Sequence, residues 1–374
     1  MHISLRVERS FVIGWIGTLL QLSLRLSWGI ISVPISGLFH LDAIQIGLVA
    51  TFFYLGYTTS SIPWGFVIDR EGPSRSLTIS SLVLIPLMAL AYFVNNFITL
   101  LLIYLFAGLI ASGIFPSAMK IVAIKNQENT LTARVALLES AAPITLILLS
   151  VTASLLVSEW RYFFVLLAIS FSIISLVSSR TRIQVMHSNV KKSLRVLLDK
   201  KIFTATLVRM GELWATWGAV TWIFPLLILY RHLGVEFSAL FLLLLSIGQL
   251  VGTLLATTSR IIGEKRFIAL DLLGFIIIAI STVFSQGFIL PVEAFTLGIF
   301  SFAYRPPTDS MIMKMAGSLS AGTSIGYANS ISQIGTMIAP TLVGFLLYES
   351  HSFLIGIVGI CLGCVISLIC LNFV

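Results

Sequence analysis

Seven ionisable residues stand inside long apolar stretches of this 374-residue chain: Arg25, Glu139, Arg209, Glu212, Asp271, Arg305 and Asp309. A charge facing hydrocarbon is costly, so each is expected to meet a partner or a water-filled cavity. A guanidinium group placed there can bind an anion through paired hydrogen bonds. A carboxyl group can take up and release a proton. Thr18, Gln21, Arg25, Trp28 and Ser32 recur at steps of three and four, which puts them on one helical face. Gly298, Ser301, Arg305 and Thr308 repeat the pattern late in the chain.

Each residue has a bland reading beside a functional one. Arg25 and Arg305 either touch substrate or make interior salt bridges. Arg209 and Glu212 are spaced for an intrahelical pair; alternatively Glu212 carries a proton and Arg209 tunes it. Glu139 has no cation near it in sequence, so it is a proton site or the partner of an arginine on another helix. Asp271, close to Lys265 and Arg266, is expected to be structural, and Asp309 to be a gate or packing residue. Trp214, Trp217 and Trp222 cannot all share one narrow face, so packing is favoured over a stacking site.

The elements that hold these residues follow from composition. Hydrophobic residues make up 57% of the chain, charged ones 10%, and mean hydropathy is +1.04. A soluble domain carries about 25% charged residues, so this chain cannot wet its own surface. Twelve apolar runs are long enough to cross a bilayer: 11–38, 44–66, 76–94, 97–119, 133–157, 161–179, 202–230, 237–257, 267–284, 292–312, 324–348 and 352–372. The first is too long for a cleavable signal and contains Arg25. A lipid bilayer is therefore a partner, and no span remains for a soluble catalytic domain.

The net charge of +8 does not point to nucleic acid, because the basic residues lie in short clusters between apolar runs. Of 23 Lys and Arg, eighteen fall at the N-terminus and in alternate loops, including the central 183–201 stretch. Only Arg161 and Arg231 fall in the opposite loops, and three lie within the runs. That split predicts cytoplasmic N- and C-termini in a multi-pass plasma-membrane protein. Cys361, Cys364 and Cys370 share the last run and read as packing residues. All five histidines lie at loops or termini, so no metal site or other cofactor is expected.

An internal repeat divides the chain. Pro34 and Pro225, Gly72 and Gly263, and Pro116 and Pro307 are each 191 residues apart. Pro143 and Pro340 are 197 apart, which asks for about six extra residues in the second half. This predicts an all-α membrane protein of twelve transmembrane helices in two pseudo-symmetric six-helix bundles, residues 1–182 and 202–374, joined by a cytoplasmic linker at 183–201.

The loop Gly65-Phe66-Val67-Ile68-Asp69-Arg70-Glu71-Gly72-Pro73-Ser74-Arg75 resembles the G-x-x-x-D-R-x-G-x-(R/K)-(R/K) motif between helices 2 and 3 of the major facilitator superfamily. Gly65, Asp69, Arg70, Gly72 and Arg75 match, and Ser74 departs. Glu159-Trp160-Arg161-Tyr162-Phe163-Phe164 resembles that superfamily's entry to helix 6, and Ile44-Gln45-Ile46-Gly47-Leu48 its entry to helix 2. Two positions differ: Tyr104 stands where helix 4 often has arginine, and Ala141-Ala142-Pro143 replaces a glycine-proline motif tied to antiport. Arg25-Leu26-Ser27-Trp28-Gly29 is similar to an R-x-S-F-G run of monocarboxylate-type porters.

The resemblance implies a secondary transporter working by alternating access, with helices 1, 4, 7 and 10 around a central cavity. It places Asp69 against the N-terminus of helix 11 as part of a conformational gate. The expected substrate is a small organic anion, a carboxylate, held by Arg25, Gln21, Trp28, Arg305 and Arg209. Glu212 and Glu139 are the expected proton-coupling groups, and a monomer is expected. The alternatives are a drug or metabolite exporter using Glu139, Glu212 and the tryptophans, and a non-transporting receptor on the same scaffold. No nucleotide-binding loop or buried histidine supports an enzyme.

Overall fold

The computed structural model describes residues 9–125, 134, 137–181, 199–316 and 321–374, excepting the side chains of residues 69, 123–125, 260, 313, 316 and 321–326. Every regular element among the described residues is a helix. Nine helices there are long and apolar enough to cross a membrane. In hydrocarbon a backbone must satisfy its own polar groups, which a helix does within one segment.

In chain order the helices are α1 (Arg9–Leu26), α2 (Trp28–Phe39), α3 (Ala43–Glu71), α4 (Pro73–Tyr92), α5 (Phe97–Ala111), α6 (Ile114–Lys125), α7 (Ala141–Val151), α8 (Ala153–Ser158) and α9 (Trp160–Ser179). After residue 198 come α10 (Lys200–Pro225), α11 (Val235–Leu255), α12 (Glu264–Phe284), α13 (Ile289–Phe300), α14 (Arg305–Ala316), α15 (Ala321–Ser350) and α16 (Phe353–Leu371). Asp42 and Gln45 open α3 with a reciprocal capping box, and Asn96 caps α5 through the Thr99 amide at 2.9 Å.

Four of the predicted single runs are broken. The run 97–119 divides at Ser112-Gly113, and 292–312 divides between Phe300 and Arg305. Both breaks lie one turn before proline: the Pro116 ring excludes the Ser112 carbonyl, and those of Pro306 and Pro307 exclude Phe302 and Ala303. The run 11–38 divides at Ser27, whose hydroxyl donates to the Leu24 carbonyl at 3.2 Å. The run 133–157 divides at Thr152, which likewise donates to Leu148 at 2.8 Å.

The same pairings occur before and after the 182–198 stretch. Helix α3 packs on α5 as α11 packs on α13; α4 packs on α9 as α12 does on α16; α1 packs on α6 as α10 does on α14. The closest approaches correspond too. A Cβ added at Gly108 would lie 2.0 Å from the Phe53 carbonyl oxygen, and one at Gly298 2.0 Å from that of Leu245. Gly72 ends α3 and Gly263 ends a short helical turn at Ser259–Ile262, at φ +87° and +90°, a conformation that a side chain would strain. The two stray basic residues serve as helix caps. Arg161 donates to the Tyr92 and Val94 carbonyls at the end of α4, both at 3.1 Å. Arg231 donates to the Thr282 and Ser285 carbonyls at the end of α12.

Contacts between residues 9–181 and 199–374 join α2 to α10, α3 to α15, and α7 and α8 to α11. The named contacts gather toward the end where α2, α10 and α15 finish. Trp222 donates its indole N–H to the Pro340 carbonyl at 2.9 Å, and Thr51 donates to Met337 at 2.7 Å. Gly47 lies against the Pro340 carbonyl, Gly29 against Val220 and Gly344 against Ala43. At the opposite end, the described ion pairs Glu71–Arg75 (2.6 Å) and Glu264–Lys314 (2.7 Å) each stay within one segment. Among the described residues, the named contacts pinch the molecule at that first end.

Candidate functional site

Below the pinched end lies a cavity lined by α1, α3, α6, α7 with the residues just before it, α10, α14 and α15, with Arg25, Glu139 and Arg305 as its charged residues. The first helical stripe supplies Thr18, Gln21 and Arg25. Arg25 sits among aromatic rings: its guanidinium carbon is 4.2 Å from the Trp217 ring centre and 4.5 Å from that of Tyr54. Its Nε donates to the Tyr54 hydroxyl at 3.0 Å, while one terminal nitrogen is buried with no hydrogen-bond partner among the described residues. No described carboxylate lies within salt-bridge distance of Arg25. Rings hold the cation by their faces and leave its hydrogen-bonding edge unspent.

Arg305 behaves differently. It lies 3.7 Å from the Glu139 carboxylate, a pair that spans the two segments of the chain, and its Nε has no partner. Gln21 Nε2 and Gln333 Oε1 are also unpartnered. The cavity therefore presents several donors and few acceptors. Its volume is about 60 Å³, against roughly 300–1,000 Å³ for a drug-sized pocket. Admission of even a small solute requires the lining side chains to part.

Two expectations for the site are corrected. Trp28 does not reach the cavity: it is buried, donates to the Ile46 carbonyl at 2.9 Å and packs edge-on against Tyr104. The helix break at Ser27 falls between Arg25 and Trp28, so the stripe's register does not carry through. Arg209 lies outside the cavity lining and does not pair with Glu212. It is bound to Asp309 at 2.7 Å and donates to Ser332 Oγ at 2.5 Å and to Asn329 Oδ1 at 3.4 Å. Side chains on a helix lean toward its N-terminus, which carries the long Arg209 arm to α14 and α15 rather than forward to residue 212. Asp271, expected to be structural, is buried with the Tyr304 backbone beside it, while Lys265 and Arg266 are exposed on the same helix.

Glu212 is also buried away from the cavity surface. Its Oε1 accepts from Thr308 at 2.5 Å and its Oε2 has no partner. Asp309, expected as a gate or packing residue, is the counter-ion of Arg209. Of the tryptophans, Trp214 and Trp222 donate to the Gly359 and Pro340 carbonyls, while Trp217 faces Arg25. Sequence reasoning missed Tyr54 and Tyr57, although their three-residue spacing on an apolar run was a usable signal. In the loop motif, Arg75 bonds Glu71. The Asp69 side chain and those opening α15 lie outside the described residues, and so does the contact expected between them.

A helical, membrane-spanning body with a polar cavity between its two segments has the architecture of a solute transporter. A sequence model of the Major Facilitator Superfamily matches residues 13–340, and the chain belongs to that family. It is 24% identical over 348 residues to a probable sulfoacetate transporter of Cupriavidus necator, covering 83% of this chain and 80% of that one. Its fold is similar to that of a bacterial homologue of the human lysosomal transporter Spinster, in an inward-facing and unoccupied conformation, with TM-score 0.79, 15% identity and 97% and 95% of the chains covered. A D-xylose-proton symporter matches with TM-score 0.76, 13% identity and 97% and 96% coverage.

Proposed function

We propose that this chain is a proton-coupled secondary transporter of a small organic anion. The observation that carries the reading is Arg25, a cation held in the cavity by rings, with no carboxylate against it and part of its edge unpartnered. Arg305 faces the same space, bound only at 3.7 Å to Glu139. An anion bridging the two would add charge-assisted hydrogen bonds at both. The relative named for sulfoacetate, which carries carboxylate and sulfonate groups, supports an anionic substrate of that size.

The finer architecture belongs to the same proposal: twelve spans in two six-helix bundles, residues 1–182 and 202–374, about a linker at 183–201. The repeated helix pairings and the 191-residue offset support it. The charge split favours cytoplasmic termini in the plasma membrane, which makes the pinched end external and this conformation inward-facing. Glu139 and Glu212 are the candidates for coupling. Substrate reaching Arg305 competes with Glu139 and frees that carboxyl for a proton, so anion and proton enter together.

The test is uptake into proteoliposomes of labelled mono- and dianionic carboxylates and sulfonates, with cationic and neutral solutes for comparison, with and without an inward proton gradient. Anion accumulation driven by the gradient is expected. Accumulation of cations alone would overturn the reading. Glu139→Gln and Glu212→Gln proteins then separate the two carboxyls: a coupling residue loses accumulation and keeps counterflow exchange.

A further inference from the structure

Glu212 is not alone in the dry interior. Asp271 on α12 and Gln249 on α11 are 5% and 1% exposed. Glu212 Oε2, Asp271 Oδ2 and Gln249 Oε1 all lack a hydrogen-bond partner among the described residues. A chain of contacts ties α10 to α11 through residues 301–304, which join α13 to α14, and the Tyr304 backbone also lies beside Asp271. Gln249 Nε2 donates to Ser301 Oγ at 3.2 Å, and the Thr216 hydroxyl reaches the Ser301 carbonyl at 2.8 Å. That hydroxyl also meets Tyr304, whose own hydroxyl donates to the Glu212 carbonyl at 3.0 Å.

The neighbouring donors are already engaged. Thr308 serves the other Glu212 oxygen, Arg209 is held by Asp309, and Arg305 faces Glu139. From α16 the nearby titratable groups are the thiols Cys361 and Cys364, and Lys265 and Arg266 on α12 are exposed. Among the described residues, no cation of the protein lies within salt-bridge distance of Glu212 or Asp271. Three acceptor oxygens, two of them carboxyl, are thus buried without a direct counter-ion among the described residues, Arg209 and Arg305 acting on Glu212 only from beyond salt-bridge distance. Such an arrangement is expensive unless a cation joins it.

The internal repeat shows what the scaffold itself requires. Subtracting the same 191 residues from Glu212, Gln249, Asp271 and Thr308 gives Gln21, Thr58, Ser80 and Ser117. Ser80 and Ser117 are fully buried, and Gln21 nearly so. Helices of the same plan therefore pack around polar but uncharged groups at these positions. The two carboxyls are a feature of one copy only, and packing does not account for them.

We propose that Glu212 and Asp271, with the Gln249 carbonyl, form a site within residues 199–374 that binds one monovalent cation, H⁺ or Na⁺, apart from the anion cavity. This rests on reading Glu212 as a coupling acid but requires no anionic substrate. A cation there would neutralise the cluster beside α10, the helix that also carries Leu213 and Trp217 to the cavity.

The test uses the purified full-length protein with no solute, in choline buffer. Binding of radiolabelled Na⁺ is measured at equilibrium, and the protonated-carboxyl band is followed by infrared difference spectroscopy as pH is varied. Saturable Na⁺ binding identifies Na⁺; a pH-dependent carboxyl band without Na⁺ binding identifies H⁺. Either signal is expected to weaken by at least about tenfold in affinity, or to vanish, in E212Q and in D271S, and to persist in S80A. E212Q and D271S copy Gln21 and Ser80, residues that the first half already accommodates; if D271S does not fold, D271N carries the same test. A wild-type protein showing neither signal overturns the proposal, as does a signal unchanged in both variants. Loss of anion uptake with cation binding intact counts against the substrate reading alone.

Discussion

At the scale of the residue, the two cavity arginines have different tasks. Arg25 is positioned by Tyr54 and Trp217, so its replacement by Gln removes a donor without stranding a buried carboxylate. Substrate affinity is expected to fall by roughly ten- to a hundredfold, the value of about 1.5–3 kcal/mol for a hydrogen bond to a charged group. Equilibrium binding on folded protein checks this, and unchanged affinity would sink the anion reading. Arg305 is shared with Glu139 at 3.7 Å. If substrate and Glu139 compete for it, Glu139→Gln should bind the anion more tightly than wild type while losing gradient-driven accumulation. A variant with weaker binding would show that Glu139 is part of the recognition site and not its competitor. Legibility at this scale was uneven. Arg25 and Gln21 were found from helical spacing, because one unbroken turn suffices to align them. Trp28 and Arg209 were misplaced, because a helix break and the reach of a long side chain leave no trace in spacing.

At the scale of the element, the Arg209–Asp309 pair fastens α10 to α14, with Ser332 from α15 as the third member. Asp309 is about a quarter exposed, but Arg209 is almost wholly buried. Asp309→Asn should therefore leave a stranded cation and lower stability on the order of 3 kcal/mol, read as a drop in melting temperature. Asp309→Glu should restore much of the loss. Most elements could be read from hydropathy, since lengths of apolar residue are imposed by the bilayer. The breaks could be read only where proline marked them: Pro116 and Pro307 announce theirs, whereas Ser27 and Thr152 act through a single side-chain hydrogen bond that hydropathy does not register. Pairing of Glu139 with an arginine on another helix was one of its two readings, but the choice of Arg305 could not be read, because the pair joins helices that are distant in sequence.

At the scale of the whole molecule, orientation is the property most open to a direct check. Cysteines introduced at Asn95 or Gln286, in a background lacking Cys361, Cys364 and Cys370, should react with an impermeant reagent in intact cells, and one at Ser74 should not. The reverse pattern would invert the assignment of the pinched end. That end can also be tested. A side chain at Gly47 would collide with the Pro340 carbonyl, 2.3 Å from its Cβ, so Gly47→Val should hold α3 and α15 apart and favour the outward-open arrangement. Double electron–electron resonance between labels on those helices should then show longer distances.

The pinched end is made from backbone. Its named contacts are carbonyl oxygens of Ala43, Val220, Met337 and Pro340, met by glycine, by Thr51 and by an indole N–H. The cavity, in contrast, is defined by side chains: Gln21, Arg25, Tyr57, Arg305 and Gln333. The two sets share no residue. Arg25 and Arg305 still meet Trp217 and Glu139 across the two segments, but the closing contacts at that end do not depend on Gln21, Tyr57 or Gln333, which are free to vary without disturbing them. A chain built this way can drift from one anion to another by few substitutions, and a library confined to Gln21, Tyr57 and Gln333 is where new specificities should be sought.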